Sequence, residues 1–198
     1  MTKPTDPPAP GPQVAPGRAP ANQGRRVAAR NRAALIAAAR EVFAEQGLSA
    51  PLSAVARRAG VGQGSFYRHF ADRAAVASAV LDENVRQIEQ AAEEPAADLA
   101  SVLGVVTWSL TRSTAFVDLL RVQGDEAHAR RLADRVRTVL GGCLPAAGSD
   151  LTADDLMLAV AMVSGAVGGP DLVDRERVAL AAWRLLGIEV GPLRPAGP

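Results

Sequence analysis

The sequence predicts an all-α fold of about nine helices, and three observations predict it. Alanine, the residue with the strongest intrinsic helix preference, occurs 40 times in 198 residues. From about residue 25 onward, apolar side chains recur at three- and four-residue steps, the period of a helix that buries one face. No segment shows the alternation of a half-buried strand.

The elements follow in order. Residues 1–24 hold 7 of the 14 prolines and one large aliphatic side chain, Val14. Such a segment cannot bury enough surface to offset its ordering entropy, so a disordered tail is expected there. A first helix is predicted over 27–46, with Leu35, Ile36, Ala39, Val42 and Phe43 in one stripe and Gly47 as its stop. Pro51 opens a short helix over 52–59, and Gly60 suits the turn after it. A third helix over 63–70 carries Phe66 and Phe70 on one side. Asp72 suits the N-cap of a long helix over 73–92. Pro95, Pro145 and Pro170 then separate helices expected at 96–111, 115–122, 126–144, 153–167 and 174–186. Thr152 and Asp155 have the spacing of a capping box, and Gly187 suits the position just past a helix end.

Composition limits the function classes. Hydrophobic residues make up 48% and charged residues 22%, an ordinary globular balance. The longest uncharged stretches, 99–111 and 156–170, are 13 and 15 residues, against the roughly 20 needed to span a bilayer. The N-terminus lacks an apolar signal region, so a cytoplasmic location without membrane contact is expected. The single cysteine, Cys143, excludes an internal disulfide and a cysteine-based zinc site. Two histidines, His69 and His128, leave little material for a metal centre, and neither metal nor cofactor is expected. The net charge of +1 conceals an asymmetry. Residues 1–80 carry 11 basic and 4 acidic side chains, a net of +7, whereas the remainder carries 11 basic and 17 acidic, a net of −6. The basic half is the candidate for a polyanionic partner, although such asymmetry also arises without one.

The informative block is LSAVARRAGVGQGSFYRHF, residues 52–70. Two short helices flank a turn containing Gly60 and Gly62, the signature of a helix-turn-helix. Val55, Ala56, Ala59, Val61, Phe66 and Phe70 would lock the pair against the first helix. Gln63, Ser65, Tyr67, Arg68 and His69 are then left to face away from that core. A face with amide, hydroxyl, phenol and guanidinium groups can enter a DNA major groove.

These residues resemble a known family. The end of the first helix, FAEQG at 43–47, the core VARRAGV at 55–61, and GSFYRHF at 64–70 followed by a capped helix are similar to the DNA-binding domain of TetR-family transcriptional regulators. The resemblance covers about 27–86. It implies a helix-turn-helix DNA-binding domain there and an effector-binding and dimerisation domain over 87–190. By the same resemblance Gln63, Ser65 and Arg68 read base edges, while Tyr67 and His69 contact phosphate. Arg73, with Arg25, Arg26 and Arg30, would clamp the DNA backbone. Two positions depart from the family pattern. Gly62 stands where Ser or Thr is usual, removing one possible phosphate hydroxyl, and Arg73 stands where Lys is usual, keeping the charge.

In proteins that look like this, the middle helices enclose an effector pocket and the last two build a two-fold interface. Trp108 and Phe116 are therefore pocket candidates, with plain core packing as the alternative. His128 is a weaker one, since a single histidine on a helix is commonly inert. Met157, Met162, Trp183 and Leu186 are the candidates for the dimer interface. Arg57 and Arg58 read as solvating the second helix, and Cys143 as a small buried residue rather than an oxidant sensor. An enzyme is not expected, because neither histidine nor Cys143 has an evident catalytic partner. The expected function is a homodimeric, ligand-responsive repressor of a palindromic double-stranded DNA operator, released by a small-molecule effector. The alternative is a DNA-binding dimer without an effector, acting constitutively or as an activator.

Overall fold

The computed structural model describes residues 21–112, 126–148, 150–168 and 171–195. Eight helices and no strand occur among them: α1 (Ala21–Gln46), α2 (Leu52–Arg58), α3 (Gln63–His69), α4 (Arg73–Glu93), α5 (Leu99–Arg112), α6 (Glu126–Ala147), α7 (Ala153–Ala166) and α8 (Leu172–Leu185). The helix expected at 115–122, and with it Phe116, lies outside the described residues, as does most of the proline-rich tail. None of the described helices is long and apolar enough to cross a membrane.

Local chemistry sets the ends of these helices. Asp72 accepts a hydrogen bond from the Ala75 amide at 2.8 Å and so caps α4. Thr152 and Asp155 form the reciprocal capping box that their spacing predicts. At α5 a second such pair was not anticipated. Asp98 accepts from the Ser101 amide at 2.7 Å and Ser101 Oγ accepts from the Asp98 amide at 3.0 Å, which starts the helix at Leu99 rather than 96. Asp171 caps α8 through the Val173 amide at 2.8 Å, two residues before the expected start. Helix α1 begins at Ala21, six residues before the expected 27, because nothing after Pro20 except Gly24 opposes helix propagation. Pro145 does not end α6 as expected. It sits in the last turn, where a missing amide forfeits one hydrogen bond, and the chain leaves the helix past Ala147 at Gly148, whose φ is +58°.

Two apolar cores result. In the first, Leu35, Ala39, Val42 and Phe43 of α1 meet Val55 and Ala56 of α2, Phe66 of α3, Phe70, and Val76 and Val80 of α4. In the second, Leu81, Val85 and Ile88 of α4 meet Leu103, Val106 and Leu110 of α5, Leu140 of α6, Leu156 and Val163 of α7, and Trp183 of α8. Helix α4 is thus the shared beam, its first half in one core and its second half in the other.

Candidate nucleic-acid interface

The geometry of the interface begins at the end of α2. The Val61 amide donates to the Ala56 carbonyl at 3.0 Å and the Gly60 amide to the Arg57 carbonyl at 3.1 Å. This is a Schellman closure, with Gly60 in the left-handed region at φ +65°. Any side chain there would meet its own carbonyl, so glycine makes the reversal. Two residues later Gly62 is extended, and its carbonyl accepts the Ser65 and Phe66 amides of α3 while no side chain caps the helix.

Helix α3 is only seven residues long, so its orientation comes from packing. Phe66 is 1% exposed and meets Phe70 with ring centroids 5.9 Å apart and Tyr67 edge-on at 5.3 Å. Arg32 of α1 lies over the Phe70 ring at 5.2 Å, which ties α1 to the end of α3. With Phe66 pointing inward, Gln63, Tyr67 and Arg68 stand exposed, whereas Ser65 and His69 are half-buried. All five predicted residues therefore belong to one short helix with a common buried anchor, and Tyr67 offers more than half its surface, 56%. Arg25, Arg26 and Arg30 lie exposed along the first turns of α1.

Arg73 also has partners within the chain. Its Nη1 donates to the carbonyls of Leu48 and Ala50, joining the start of α4 to the turn between α1 and α2. Those carbonyls lie past the end of α1 and need a donor, and a half-buried guanidinium supplies it. Arg58, expected to solvate α2, instead bonds Glu41 at 2.9 Å and Glu45 at 2.8 and 3.0 Å on α1. Its hydrogen bonds hold the Glu45 carboxyl below the usual carboxylate range. Both arginines thus brace the scaffold behind α3.

Comparison with known proteins agrees with this geometry. A model of the "Bacterial regulatory proteins, tetR family" matches residues 35–80. A TetR transcription regulatory protein from Mycobacterium vanbaalenii is 31% identical, with 84% of this chain and 99% of that one covered and a TM-score of 0.52. The chain belongs to the TetR family of transcriptional regulators. A TetR transcriptional regulator from Streptomyces coelicolor is similar at 29% identity and TM-score 0.55, covering 84% of this chain and 99% of that one. The transcriptional regulator FadR from Bacillus subtilis, solved in complex with stearoyl-CoA, is similar at 19% identity and TM-score 0.50, covering 78% and 96%. The search of curated proteins found no match. TetR-family proteins are DNA-binding regulators rather than enzymes.

The second half of this TetR-family chain distributes the remaining predicted residues over several places. Trp108 lines a cavity of about 520 Å³ between α1, α5 and the start of α8. His128 does not line it; its Nε2 lies 3.8 Å from Asp82, on the α4–α6 face. There Arg135 also bonds Glu89 at 2.7 and 2.8 Å and holds that carboxyl below its usual range. Among the dimer candidates only Met162 is openly exposed, at 53%. Met157 and Leu186 are half-buried. Trp183 is 1% exposed and donates through Nε1 to Thr107 Oγ1 at 2.8 Å, so it locks α8 to α5 inside one chain. The apolar side chains left on the surface of α7 and α8 are Leu158, Met162, Val173, Leu180 and Leu185. Cys143 is half-buried, and burial pushes its thiol up, away from a reactive thiolate.

Arg40 and Arg112, both beside Trp108, were missed in the sequence. The signal was there for Arg40, a charge set between Ile36 and Phe43 at the four- and three-residue steps of the buried stripe of α1.

Proposed function

We propose that this TetR-family regulator is a repressor that binds a palindromic operator as a homodimer and lets go when a small molecule binds its second half. The observation that carries the DNA half of the reading is α3, a helix anchored by Phe66 that turns Gln63, Tyr67 and Arg68 outward. In this reading Gln63, Ser65 and Arg68 contact base edges, Tyr67 and His69 contact phosphate, and Arg25, Arg26 and Arg30 follow the backbone. Arg73 joins that backbone clamp while its Nη1 fixes α4 to the turn behind α3. One such helix reads only a few base pairs, so specificity calls for two copies one helical turn apart, roughly 34–36 Å.

The exposed apolar residues of α7 and α8 support the dimer. Leu158 and Met162 are 62% and 53% exposed on one helix, and Val173, Leu180 and Leu185 are 72%, 43% and 87% exposed on the next. Two helices from each chain would close a four-helix bundle about a two-fold axis, a contact that stops at two chains. The cavity beside Trp108 supports an effector, and its size falls within the usual range of about 300–1,000 Å³ for ligand sites.

In vitro selection of bound DNA from a random pool, followed by titration with the protein, tests the reading. A palindromic site taken up by two chains, with affinity falling steeply as salt rises, is the expected result. Sites without dyad symmetry, saturated by a single chain, contradict it.

A further inference from the structure

The cavity between α1, α5 and α8 has a chemistry of its own. Arg40 of α1 holds its guanidinium carbon 5.2 Å from the centroid of the Trp108 ring, and Arg112 of α5 holds its own at 5.4 Å from the same ring. Both side chains line the cavity together with Trp108, Ala37, Ala44 and Leu172. Arg112 is paired with Glu176 at 2.9 Å. Arg40 is not so served: its buried Nε and Nη2 find no hydrogen-bond acceptor among the described residues. Burial pushes its pKa down, opposed only by attraction to Glu83. Glu41 and Glu45 also line the cavity, but Arg58 already occupies both. A largely buried guanidinium without an acceptor is costly to keep, and two like charges gathered at one ring repel each other. An anion between them relieves both costs. A cation would add a third positive charge to a tryptophan that two arginines already cover.

We propose that this cavity binds a small organic carboxylate, its head held by the guanidiniums of Arg40 and Arg112 and its apolar body packed among Ala37, Ala44, Leu172 and Trp108. The site deepens the effector reading above, and its consequence for DNA rests on that reading. Arg40 belongs to the helix that carries the first core, whereas Trp108, Arg112 and Leu172 belong to the second half. A ligand held between them touches both units and alters the angle at which α3 is presented. Its differential affinity for the two arrangements sets how far the population moves.

Calorimetric titration of the full-length protein with octanoate, octylamine and octanol tests the site. Octanoate is expected to bind one per chain, octylamine not at all, and octanol far more weakly. Arg40→Gln should weaken octanoate about ten- to a hundredfold, the loss expected for a hydrogen-bonded charge, and Arg40→Lys should recover part of it. Should Arg40→Gln fail to give a cooperative melt, Arg112→Gln is to show the same weakening. No octanoate binding at millimolar concentration, equal binding of octanol, or octanoate affinity unchanged in both glutamine variants overturns the proposal. Fluorescence anisotropy of labelled DNA, with and without octanoate, separates the two readings. Octanoate bound with DNA affinity unchanged supports the site and overturns its role in release.

Discussion

The two halves of the molecule solve different problems, and the contrast between them explains why the chain has both. In the first core every large buried side chain is apolar, and the three phenylalanines Phe43, Phe66 and Phe70 fill it. Polar groups around it are turned outward on α3 or paired between helices, as Arg58 is with Glu41 and Glu45, with Arg40 at the cavity the exception. The second core buries Asn84, Thr107, Ser109, Thr111 and Ser164 among its aliphatic residues. Asn84 is fully buried, yet neither polar atom of its amide finds a partner among the described residues, and Ser109 Oγ is in the same position. On its outside, α7 and α8 keep five large apolar side chains exposed. Buried polar groups are costly unless hydrogen-bonded, and clustered exposed apolar groups mark contact surfaces. The first half carries the helix-turn-helix of a DNA-binding family on a core whose large buried side chains are all apolar. The second half mixes polar groups into its core and keeps apolar ones on its surface, the pattern on which the proposed effector and dimer rest.

The contrast can be broken from either side. The largest effect is expected from Phe66→Ala, which removes the anchor of α3 and should cost about 3–5 kcal/mol as a large-to-small core change. Denaturant unfolding would measure it, and DNA binding should be lost with the fold of that half. Tyr67→Ala, one residue on, loses only an edge contact with Phe66, so it should cost no more than about 1.5 kcal/mol in unfolding while weakening DNA binding. Leu185→Glu comes next and acts on the other half. A charge on this 87% exposed residue should change the stability of the single chain by no more than about 0.5 kcal/mol while dissociating the dimer. Light scattering that shows dimers persisting in this variant would move the interface elsewhere. Arg73→Ala should cost about 1–3 kcal/mol, since it leaves two carbonyls without a donor. It should also weaken binding to all DNA sequences alike, with base preference kept. The smallest effect belongs to Arg58. The Glu45 carboxyl is held low only in the folded chain, so this pair stabilises above the ordinary carboxylate range and loses its contribution as pH falls through the lowered value. Unfolding midpoints of wild type and Arg58→Ala should therefore differ slightly at neutral pH and converge in acid, as befits an exposed pair.

How much of this was legible depended on how local the cause was. The helix-turn-helix could be read because its determinants lie within twenty residues: a glycine at a positive φ, small alanines at the crossing, and aromatic anchors at helical spacing. The capping box at Thr152 and the stop at Gly187 were legible for the same reason. The outward apolar face of α7 and α8 was not. Helices α7 and α8 are apolar on more than one side, so periodicity could not tell the stripe that faces the core from the one that faces outward. Trp183 went to the inside because Thr107, 76 residues away, offers its indole an acceptor. The intrachain partners of Arg73 and Arg58 were hidden for the same reason, since those carbonyls and carboxylates come from α1 and the turn beyond it. Long-range partners decide such cases, and a single sequence does not display them.

The central claim is that the exposed face of α3 reads DNA. Its most direct test is a titration of Gln63→Ala and Arg68→Ala, each against a selected site and against random DNA at one salt concentration. Each variant should lose about 1–3 kcal/mol on the selected site and much less on random DNA, with unfolding unchanged. Equal losses on both DNAs, or none on either, would contradict the account.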